Sequence, residues 1–339
     1  MHGARGSKSW RWLVAVVAIV TASACPGPTN GGLPQWHSVP EIESHGWLMN
    51  AWASGPDDVW VVGGTPDRGV VLHYDGNAWR MREPPAPVPL LNWVYGFGPD
   101  DVWIVGSRGT VLHWHGGGFT TEDAGTREDL WGVWGPEPGR LWVVGGSGFP
   151  DANATLVERR EGEGWRTVEL PPLSRPGVHG LFKVWGNDAA DVWVVGQRGV
   201  ILRHDGTSWR EHPSGVGEDL IAVWGAGRDR IAIVGGRSNG VLLLWDGAEL
   251  RRVDLDFAPG INGVWMRHRD RVHIAGVLGT LRAYDWSGRL VREDDVATRF
   301  DFHSIHGTGE QLLAVGGSLS RVAAPHEGLA WSRPLRSDE

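Results

Sequence analysis

Seven copies of one short pattern run through most of this 339-residue chain. Each copy holds an apolar run that ends in glycine, typically V-W-V-V-G, and the best-preserved copies follow it with a D-G-x-x-W turn. Successive copies of the glycine are 43, 39, 51, 39, 41 and 40 residues apart. A period near 40 constrains the fold more than any other feature of this sequence. The glycines are Gly63, Gly106, Gly145, Gly196, Gly235, Gly276 and Gly316.

Each repeat is predicted to contain four short strands. In the first repeat, β-branched and aromatic residues, which strands favour, fill residues 48–53, 59–62, 70–74 and 79–82. Between them stand the Gly, Pro and Asp residues of tight turns. Four strands in each repeat of about 40 residues predict an all-β chain. We expect a single β-propeller of seven four-stranded blades over residues 35–335.

The 22 tryptophans of the chain mostly recur at fixed places in the repeat. Stacked sheets lie about 10 Å apart, and large rings fill that gap while burying much apolar area. We therefore assign these rings to the core between blades rather than to a sugar-binding platform. The positions are Trp60, Trp103, Trp142 and Trp193 in the second strand, and Trp134, Trp185, Trp224 and Trp265 in the first.

Two segments compete for the strand that closes the ring. Residues 35–39 have the pattern of a lone fourth strand ahead of the first blade, and residues 328–331 have the pattern of a fourth strand in the last blade. A strand from the N-terminus that joins the last blade would clasp the ring covalently. We therefore favour residues 35–39 as the closing strand.

Residues 1–24 have the layout of a secretory signal. Three basic residues precede the apolar stretch 13–20, which is too short to span a bilayer. Small residues at 22–24 offer a cleavage site, and Cys25, the only cysteine of the chain, follows directly. We interpret residues 25–34 as a Pro/Gly tether and residues 336–339 as a short tail.

The segment Ala22–Cys25 resembles a bacterial lipobox, with alanine where leucine is usual. The resemblance implies that Cys25 is lipidated and anchors the protein to a membrane. It implies export to the cell envelope as an outer-membrane lipoprotein, on a side of that membrane that stays open. The alternative is an ordinary signal-peptidase site and a secreted protein.

The balance of charge excludes some partners. The formal net charge is −8, and it becomes −11 without residues 1–24, which carry three bases and no acid. An acidic chain is not expected to bind nucleic acid, and we expect a monomer. Lys8 and Lys183 are the only lysines among many arginines, which we interpret as a bias of base composition. One cysteine allows no disulfide, so packing alone must stabilise the domain.

The repeats resemble kelch repeats. Val59–Gly64 and Tyr74–Trp79 supply the strand that ends in two glycines, followed by a tyrosine and a tryptophan. Three later repeats keep the glycine pair and three lose it. Asp75 begins a segment similar to the Asp-box of sialidase-like propellers, and residues 283–290 resemble one repeat of quinoprotein-type propellers. Together these resemblances imply a bacterial propeller lipoprotein and carry no catalytic residues.

The motifs of common enzymes are missing from the sequence. No metalloprotease, hydrolase-elbow or phosphate-loop pattern occurs. The pairs Asp57-Asp58 and Asp100-Asp101 could form carboxylate dyads, but each lies in a repeated G-P-D-D turn that explains it better. Tyr74, Tyr95 and Tyr284, which a sialidase mechanism would need, all fall in predicted strands. We expect no cofactor.

Histidines and one short loop are the candidate metal ligands. His73, His113 and His204 recur at similar strand positions and are expected to satisfy local hydrogen bonds. His303 and His306 could share a metal, but an H-x-x-H pair without further ligands is weak. Residues 151–155 begin like a calcium loop, D-x-N-x-T, and lack its glycine and closing glutamate. We therefore expect no metal.

Loop length points to one functional face. The turns from strand one to two and from three to four are short and uniform, whereas the other loops vary, and in an antiparallel blade all variable loops share one face. Rigid scaffolds tend to carry function in such loops. Arginines recur there just before the third strand, and guanidinium groups suit carboxylate or phosphate. The candidate binding residues are Arg68, Arg108, Arg198, Arg237, Asp151 and Asn153.

Three functions are compatible with this pattern. The first is a non-catalytic envelope protein that binds a protein or a glycan through the variable loops. The second is a polysaccharide hydrolase or lyase, for which Glu137, Asp151 or Asp256 could be recruited. The third, an envelope-assembly lipoprotein, rests only on analogy with other propellers. We favour the first, because repeat-wide residues explain most of the polar groups.

Overall fold

The computed structural model describes residues 34–339 except 148, 150, 295, 322 and 338. The predicted signal peptide, Cys25 and the tether up to residue 33 lie outside the described residues. Within them, one short helix, α1 (Pro40–Glu43), precedes the blades. No helix of this part of the chain is long and apolar enough to cross a bilayer.

The strands form seven antiparallel sheets of four strands each, so the predicted seven-bladed β-propeller is confirmed. Contacts between successive innermost strands, including the last and the first, close the ring. The innermost strands are β2 (Trp47–Gly55), β6 (Leu91–Gly98), β10 (Leu130–Glu137), β14 (Leu181–Asp188), β18 (Leu220–Gly225), β22 (Ile261–Trp265) and β26 (Asp301–Gly307). The second strands are β3 (Asp58–Thr65), β7 (Asp101–Gly106), β11 (Arg140–Gly145), β15 (Asp191–Gly196), β19 (Ile231–Gly235), β23 (Arg271–Gly276) and β27 (Gln311–Gly317).

The fourth strand of each blade has at most five residues and is mostly half-buried or exposed, as suits its contact with solvent. The third strands are β4 (Arg68–Tyr74), β8 (Thr110–Trp114), β12 (Thr155–Arg160), β16 (Ile201–His204), β20 (Val241–Trp245), β24 (Leu281–Asp285) and β28 (Gly328–Pro334). The fourth strands are β5 (Trp79–Met81), β9 (Phe119–Asp123), β13 (Gly164–Thr167), β17 (Trp209–Glu211), β21 (Leu250–Arg252), β25 (Leu290–Asp294) and, in blade 7, β1 (His37–Ser38).

The N-terminal strand closes the ring, as favoured from the sequence. β1 pairs with β28 of the last blade, with His37 opposite Ser332. The expectation that residues 328–331 are a fourth strand is wrong, because β28 pairs on both sides and is the third strand of its blade. Buried Ile42 of α1 packs with the cluster between blades 7 and 1.

The inner-strand aromatic residues explain the repeated W-G pair. The ring of Trp185 in blade 4 packs on Gly225 of blade 5, where a Cβ would lie only 2.4 Å from the ring. Trp134 and Gly186 meet in the same way between blades 3 and 4, at 2.7 Å. The glycine that follows the aromatic residue is therefore required, because the aromatic ring of the preceding blade packs against it.

The second-strand tryptophans form the core that the sequence predicts. Trp60, Trp103, Trp142 and Trp193 are at most 1% exposed. In blade 1, Trp60 donates Nε1–H to Asp58 Oδ1 at 3.0 Å, and His73 contacts the same oxygen at 2.7 Å while stacking on the indole ring. Blade 2 repeats this Asp–Trp–His arrangement. The second acid of each G-P-D-D turn, Asp58 or Asp101, is therefore structural.

Two blades vary the arrangement and correct one expectation. In blade 4, Arg203 rather than His204 takes the histidine position, with its Nη2 2.9 Å from Asp191 Oδ1. His204 lies one residue further on and contacts the Ala189 carbonyl instead. Blade 3 reverses the charges, with Arg140 at the acid position and Glu158 opposite Trp142. What blades 1 to 4 preserve is a pair of hydrogen-bonding polar side chains beside a buried indole, not a residue type.

Candidate binding face

The propeller has two faces with different loops. The turn face carries the connections from the first to the second strand and from the third to the fourth; the loop face carries all the others. On the loop face, Arg108 and Arg198 sit at the centre of three-residue turns, with φ of 57° and 56°. Leu278 occupies the equivalent position in blade 6, with φ of 57°.

An acid of the next blade fixes each of these turns. The backbone N–H of Arg108 donates to Asp129 Oδ1 at 2.9 Å, and that of Arg198 donates to Asp219 Oδ1 at 3.0 Å. The N–H of Leu278 donates to Asp301 Oδ1 at 2.9 Å. The acid stands at the start of the next inner strand, so these turns and the blade-to-blade loops share one face.

The candidate arginines all lie on this face and differ in their partners. Arg108 makes a 3.2 Å ion pair with Asp67, both highly exposed, and Arg237 contacts Asp219 at 3.0 Å. Within the described residues, the guanidinium groups of Arg68 and Arg198 make no hydrogen bond or ion pair. All four arginines are exposed, so their guanidinium groups are accessible to a ligand.

The structure places Asp151 and Asn153 in the exposed loop between β11 and β12. Asn153 uses its backbone N–H and its Nδ2 to bind Glu128 Oε1, at 3.0 and 3.3 Å. Among the described residues, no group of three His, Cys, Asp or Glu side chains is arranged to hold a metal. Asn153 therefore holds this loop to the connection between blades 2 and 3, and Asp151 is exposed.

Exposed apolar side chains mark the same face, and sequence reasoning missed them. Phe149, Phe257 and Leu278 are 71%, 80% and 64% exposed. Phe149 stands in the loop after β11, and Phe257 lies between β21 and β22. The fourth large exposed apolar side chain among the described residues, Leu290, lies on an outer strand. The sequence offered one signal for these residues, which is that they are apolar residues inside otherwise polar loops.

Two adjacent residues near the start of each inner strand, at its loop-face end, form two levels around the ring. Neither level carries an aspartate or glutamate, so the polysaccharide hydrolase alternative gains no carboxylate pair here. The upper level consists of Met49, Asn92, Trp131, Phe182, Ile221, Asn262 and His303. The lower level consists of Asn50, Trp93, Gly132, Lys183, Ala222, Gly263 and Ser304.

Amide groups at these levels join neighbouring blades. Asn50 donates to Ser304 Oγ at 2.9 Å and accepts the Val94 N–H at 3.0 Å. Asn92 donates to the Leu130 carbonyl at 2.9 Å. These bonds satisfy backbone groups at the inner edge of the sheets, which would otherwise be unpaired.

His303 and His306 do not converge on a common site. His303 donates Nδ1–H to the Met49 carbonyl at 2.7 Å, while the His306 ring packs against Trp224 at 5.4 Å. His306 occupies the place of the inner-strand tryptophan. Burial lowers the pKa of His306 to about 4. Burial, followed by the charge of Lys183, lowers the pKa of His303 to about 4.

Comparison with known proteins supports the fold and no family. No protein-family model matches the chain, and no curated protein is significantly similar in sequence. Solved structures are similar at low sequence identity, and the kelch-like character of the repeats stays a prediction.

The similar structures are β-propellers of different function. YCF48 bound to D1 peptide has a TM-score of 0.64 at 15% identity, over 90% of this chain and 98% of that one. A catalytically inactive virginiamycin B lyase from Staphylococcus aureus with quinupristin has a TM-score of 0.69 at 10% identity, over 89% and 100%. The WD40 propeller domain of Doa1 has a TM-score of 0.66 at 12% identity, over 87% and 96%. At these identities the similarity shows the propeller fold alone.

Proposed function

We propose that this protein binds a polypeptide partner through its loop face. The observation that carries the proposal is the position of Phe149, Phe257 and Leu278, three large apolar side chains that are mostly exposed on one face. Exposed aromatic anchors among arginines are typical of protein interfaces. One structural neighbour was solved with a bound peptide, which is compatible with this use of the fold.

Backbone strain supports the same face. Leucine at φ 57° is unfavourable by about 1–2 kcal/mol, and the Leu278 side chain, which is 64% exposed, buries little apolar area in exchange. A residue that is costly for folding and keeps an apolar side chain in solvent is expected where a ligand contacts it. A glycan is the alternative ligand, and the described face presents no residue that favours a glycan over a peptide.

Captured partners can test the proposal with a matched control. Wild-type protein, Phe257→Ser, Leu278→Ser and Leu290→Ser would each be used to capture binding proteins from the cell envelope of the source organism. Leu290 is also an exposed apolar residue but lies on β25, away from the loop face. We expect one polypeptide to be retained by wild type and Leu290→Ser and reduced about tenfold or more by the other two.

Equal retention by all four proteins would contradict the loop face as the binding surface. A sugar product or a glycan in place of a polypeptide would favour the alternative. Each variant changes an exposed side chain, so its free energy of unfolding should stay within about 0.5 kcal/mol of wild type.

We propose further that the protein is exported and anchored to the cell envelope through a lipidated Cys25. The basis is the sequence alone: the signal-like residues 1–24 and a sole cysteine directly after small residues. Mass spectrometry of the mature N-terminus tests it. An acylated Cys25 is expected, and an unmodified thiol at that residue would contradict the anchor.

A further inference from the structure

Lys183 is a buried amine without a carboxylate partner. Its side chain is 4% exposed. Nζ donates to the Trp131 carbonyl at 2.9 Å and lies 3.2 Å from the centroid of the Trp93 ring. No described acid forms an ion pair with it. A buried ammonium in a protein is ordinarily paired with a negative charge, so the group that this site would recognise is an anion.

The surroundings of Lys183 converge on the axis of the propeller. Trp93 belongs to blade 2 and Lys183 to blade 4, and two blades that are not neighbours meet only along the inner strands. The charge of Lys183 also acts on His303 of blade 7, because it contributes to the lowered pKa of that imidazole. Arg237 of blade 5 lies over the Phe182 ring at 5.4 Å and acts on His303 as well.

The other walls add no negative charge, and the Trp93 ring beside Lys183 is only half-buried. At the level of Lys183, blades 5, 6 and 7 carry only Ala222, Gly263 and Ser304. The titratable or charged neighbours are His303, which is neutral near pH 7, and Arg237, which is paired with Asp219. Trp131, Asn262 and His303 at the upper level are only half-buried, so solvent reaches the axis from the loop face.

We propose that this axial site binds a monocarboxylate with an apolar body. One ammonium matches one negative charge, whereas a phosphate dianion would leave excess charge in a poorly solvated space. A lysine ammonium has three donors, and the Trp131 carbonyl uses one of them. Trp93, Trp131 and Phe182 offer ring faces to the body of the ligand. The site does not depend on the polypeptide proposed for the loop face.

Binding at this site is coupled to a proton. Burial lowers the pKa of Lys183 well below its ordinary value. A bound carboxylate favours the charged ammonium and raises that pKa. At a pH between the Lys183 pKa of the empty site and that of the occupied site, binding of the carboxylate is therefore accompanied by uptake of a proton. The affinity for the carboxylate increases as pH falls toward the pKa of the empty site.

The chain allows a direct measurement, because Lys8 and Lys183 are its only lysines. In the full chain with Lys8→Arg, a single isotope-labelled lysine signal reports the titration of Lys183. We expect benzoate to raise the pKa measured from that signal, and the neutral analogue benzamide to leave it unchanged. A pKa that benzoate does not move, or that both compounds move equally, overturns the proposal.

A variant and a ligand series complete the test. Lys183→Met should weaken benzoate binding by about tenfold or more, whereas Arg127→Met, a change at an exposed loop-face arginine, should leave it unchanged. Equal binding by wild type and Lys183→Met would overturn the site. Tighter binding of N-acetylphenylalanine than of benzoate would identify a peptide C-terminus as the source of the carboxylate, and the reverse order a free organic acid. The NMR titration needs no change at Lys183, so it decides the question even if Lys183→Met fails to fold.

Discussion

The turn face and the loop face use their recurring acids differently. On the turn face, Asp58 and Asp101 each bind the indole and imidazole of their own blade. On the loop face, Asp129 and Asp219 bind a backbone N–H of the preceding blade. A carboxylate that binds side chains restricts which residue types can stand beside it. A carboxylate that binds a backbone N–H places no restriction on the side chain of the residue that donates that N–H.

The equivalent turns of blades 2, 4 and 6 show the consequence. Their central residues are Arg108, Arg198 and Leu278, held in the same backbone conformation. The scaffold therefore fixes where these side chains project and does not decide what they are. Variation concentrated at such positions is how a rigid propeller acquires a specific surface without repacking its core.

Truncation of a core tryptophan should show the largest difference in free energy of unfolding between the scaffold and the loop face. Trp103 is 1% exposed, and its ring centroid lies 3.6 Å from that of His113. Trp103→Ala should lower the free energy of unfolding by about 3–5 kcal/mol, because it leaves a cavity and removes a donor from Asp101. Denaturant unfolding measures this. Phe257→Ala, an aromatic deletion on the loop face, should cost less than about 0.5 kcal/mol; similar losses would break the comparison.

Acid should weaken the scaffold through buried histidines. Burial, followed by the charge of Arg333, lowers the pKa of His273 to about 3, and burial lowers that of His306 to about 4. The unfolded chain binds protons near pH 6.5, so this stability is present above that pH and is lost as pH falls toward 4. Between pH 6.5 and pH 5, His273 and His306 together should lower the free energy of unfolding by roughly 3 kcal/mol.

Unfolding measured against pH tests this coupling. His306→Gln should reduce the pH dependence by the share of one histidine, since glutamine does not titrate. An unchanged slope would mean that His306 binds its proton equally well in both states. Arginines stay charged throughout this range, so the loop face keeps its cationic groups while the scaffold weakens.

The sequence was sufficient for the periodic part of the molecule. Gly63 could be assigned because every blade repeats it, and Trp60 because the next three blades carry tryptophan at the same position. His204 was misplaced by one residue, because Arg203 can replace a histidine beside an acid and the sequence pattern does not show which of two adjacent residues faces it.

Lys183 could not be found from the sequence, because its neighbours come from three other blades. Trp93, Trp131 and His303 are distant in sequence, and only the closed ring brings them to one axis. Leu278 was within reach of the sequence, since V-L-G aligns with S-R-G and Q-R-G. The periodic features depend on residues within one repeat, so the sequence predicts them. The candidate sites lie where the repeats differ from one another, so the repeat pattern does not predict them.

A smaller effect of opposite sign is expected at Leu278. Leu278→Gly removes the strain of a left-handed leucine but adds freedom to the unfolded chain, so the free energy of unfolding should rise by about 0.5–1 kcal/mol. Leu290→Gly, in a strand, should lower it by a similar amount. Leu278→Gly should also weaken capture of the polypeptide partner. Destabilisation by Leu278→Gly would mean that the turn needs the leucine for folding.

The smallest effect should come from the exposed ion pair of the loop face. Arg108 and Asp67 have side chains 70% and 86% exposed, so solvent screens their attraction. Arg108→Ala and Asp67→Ala should each change the free energy of unfolding by less than about 0.5 kcal/mol, with a coupling energy no larger. If Arg108 is retained for binding, Arg108→Ala should weaken partner capture while Asp67→Ala, which frees the guanidinium, should maintain or strengthen it. Equal weakening by both would show that the pair acts as one unit, and the loop face would then recognise its partner through paired charges rather than through free arginine.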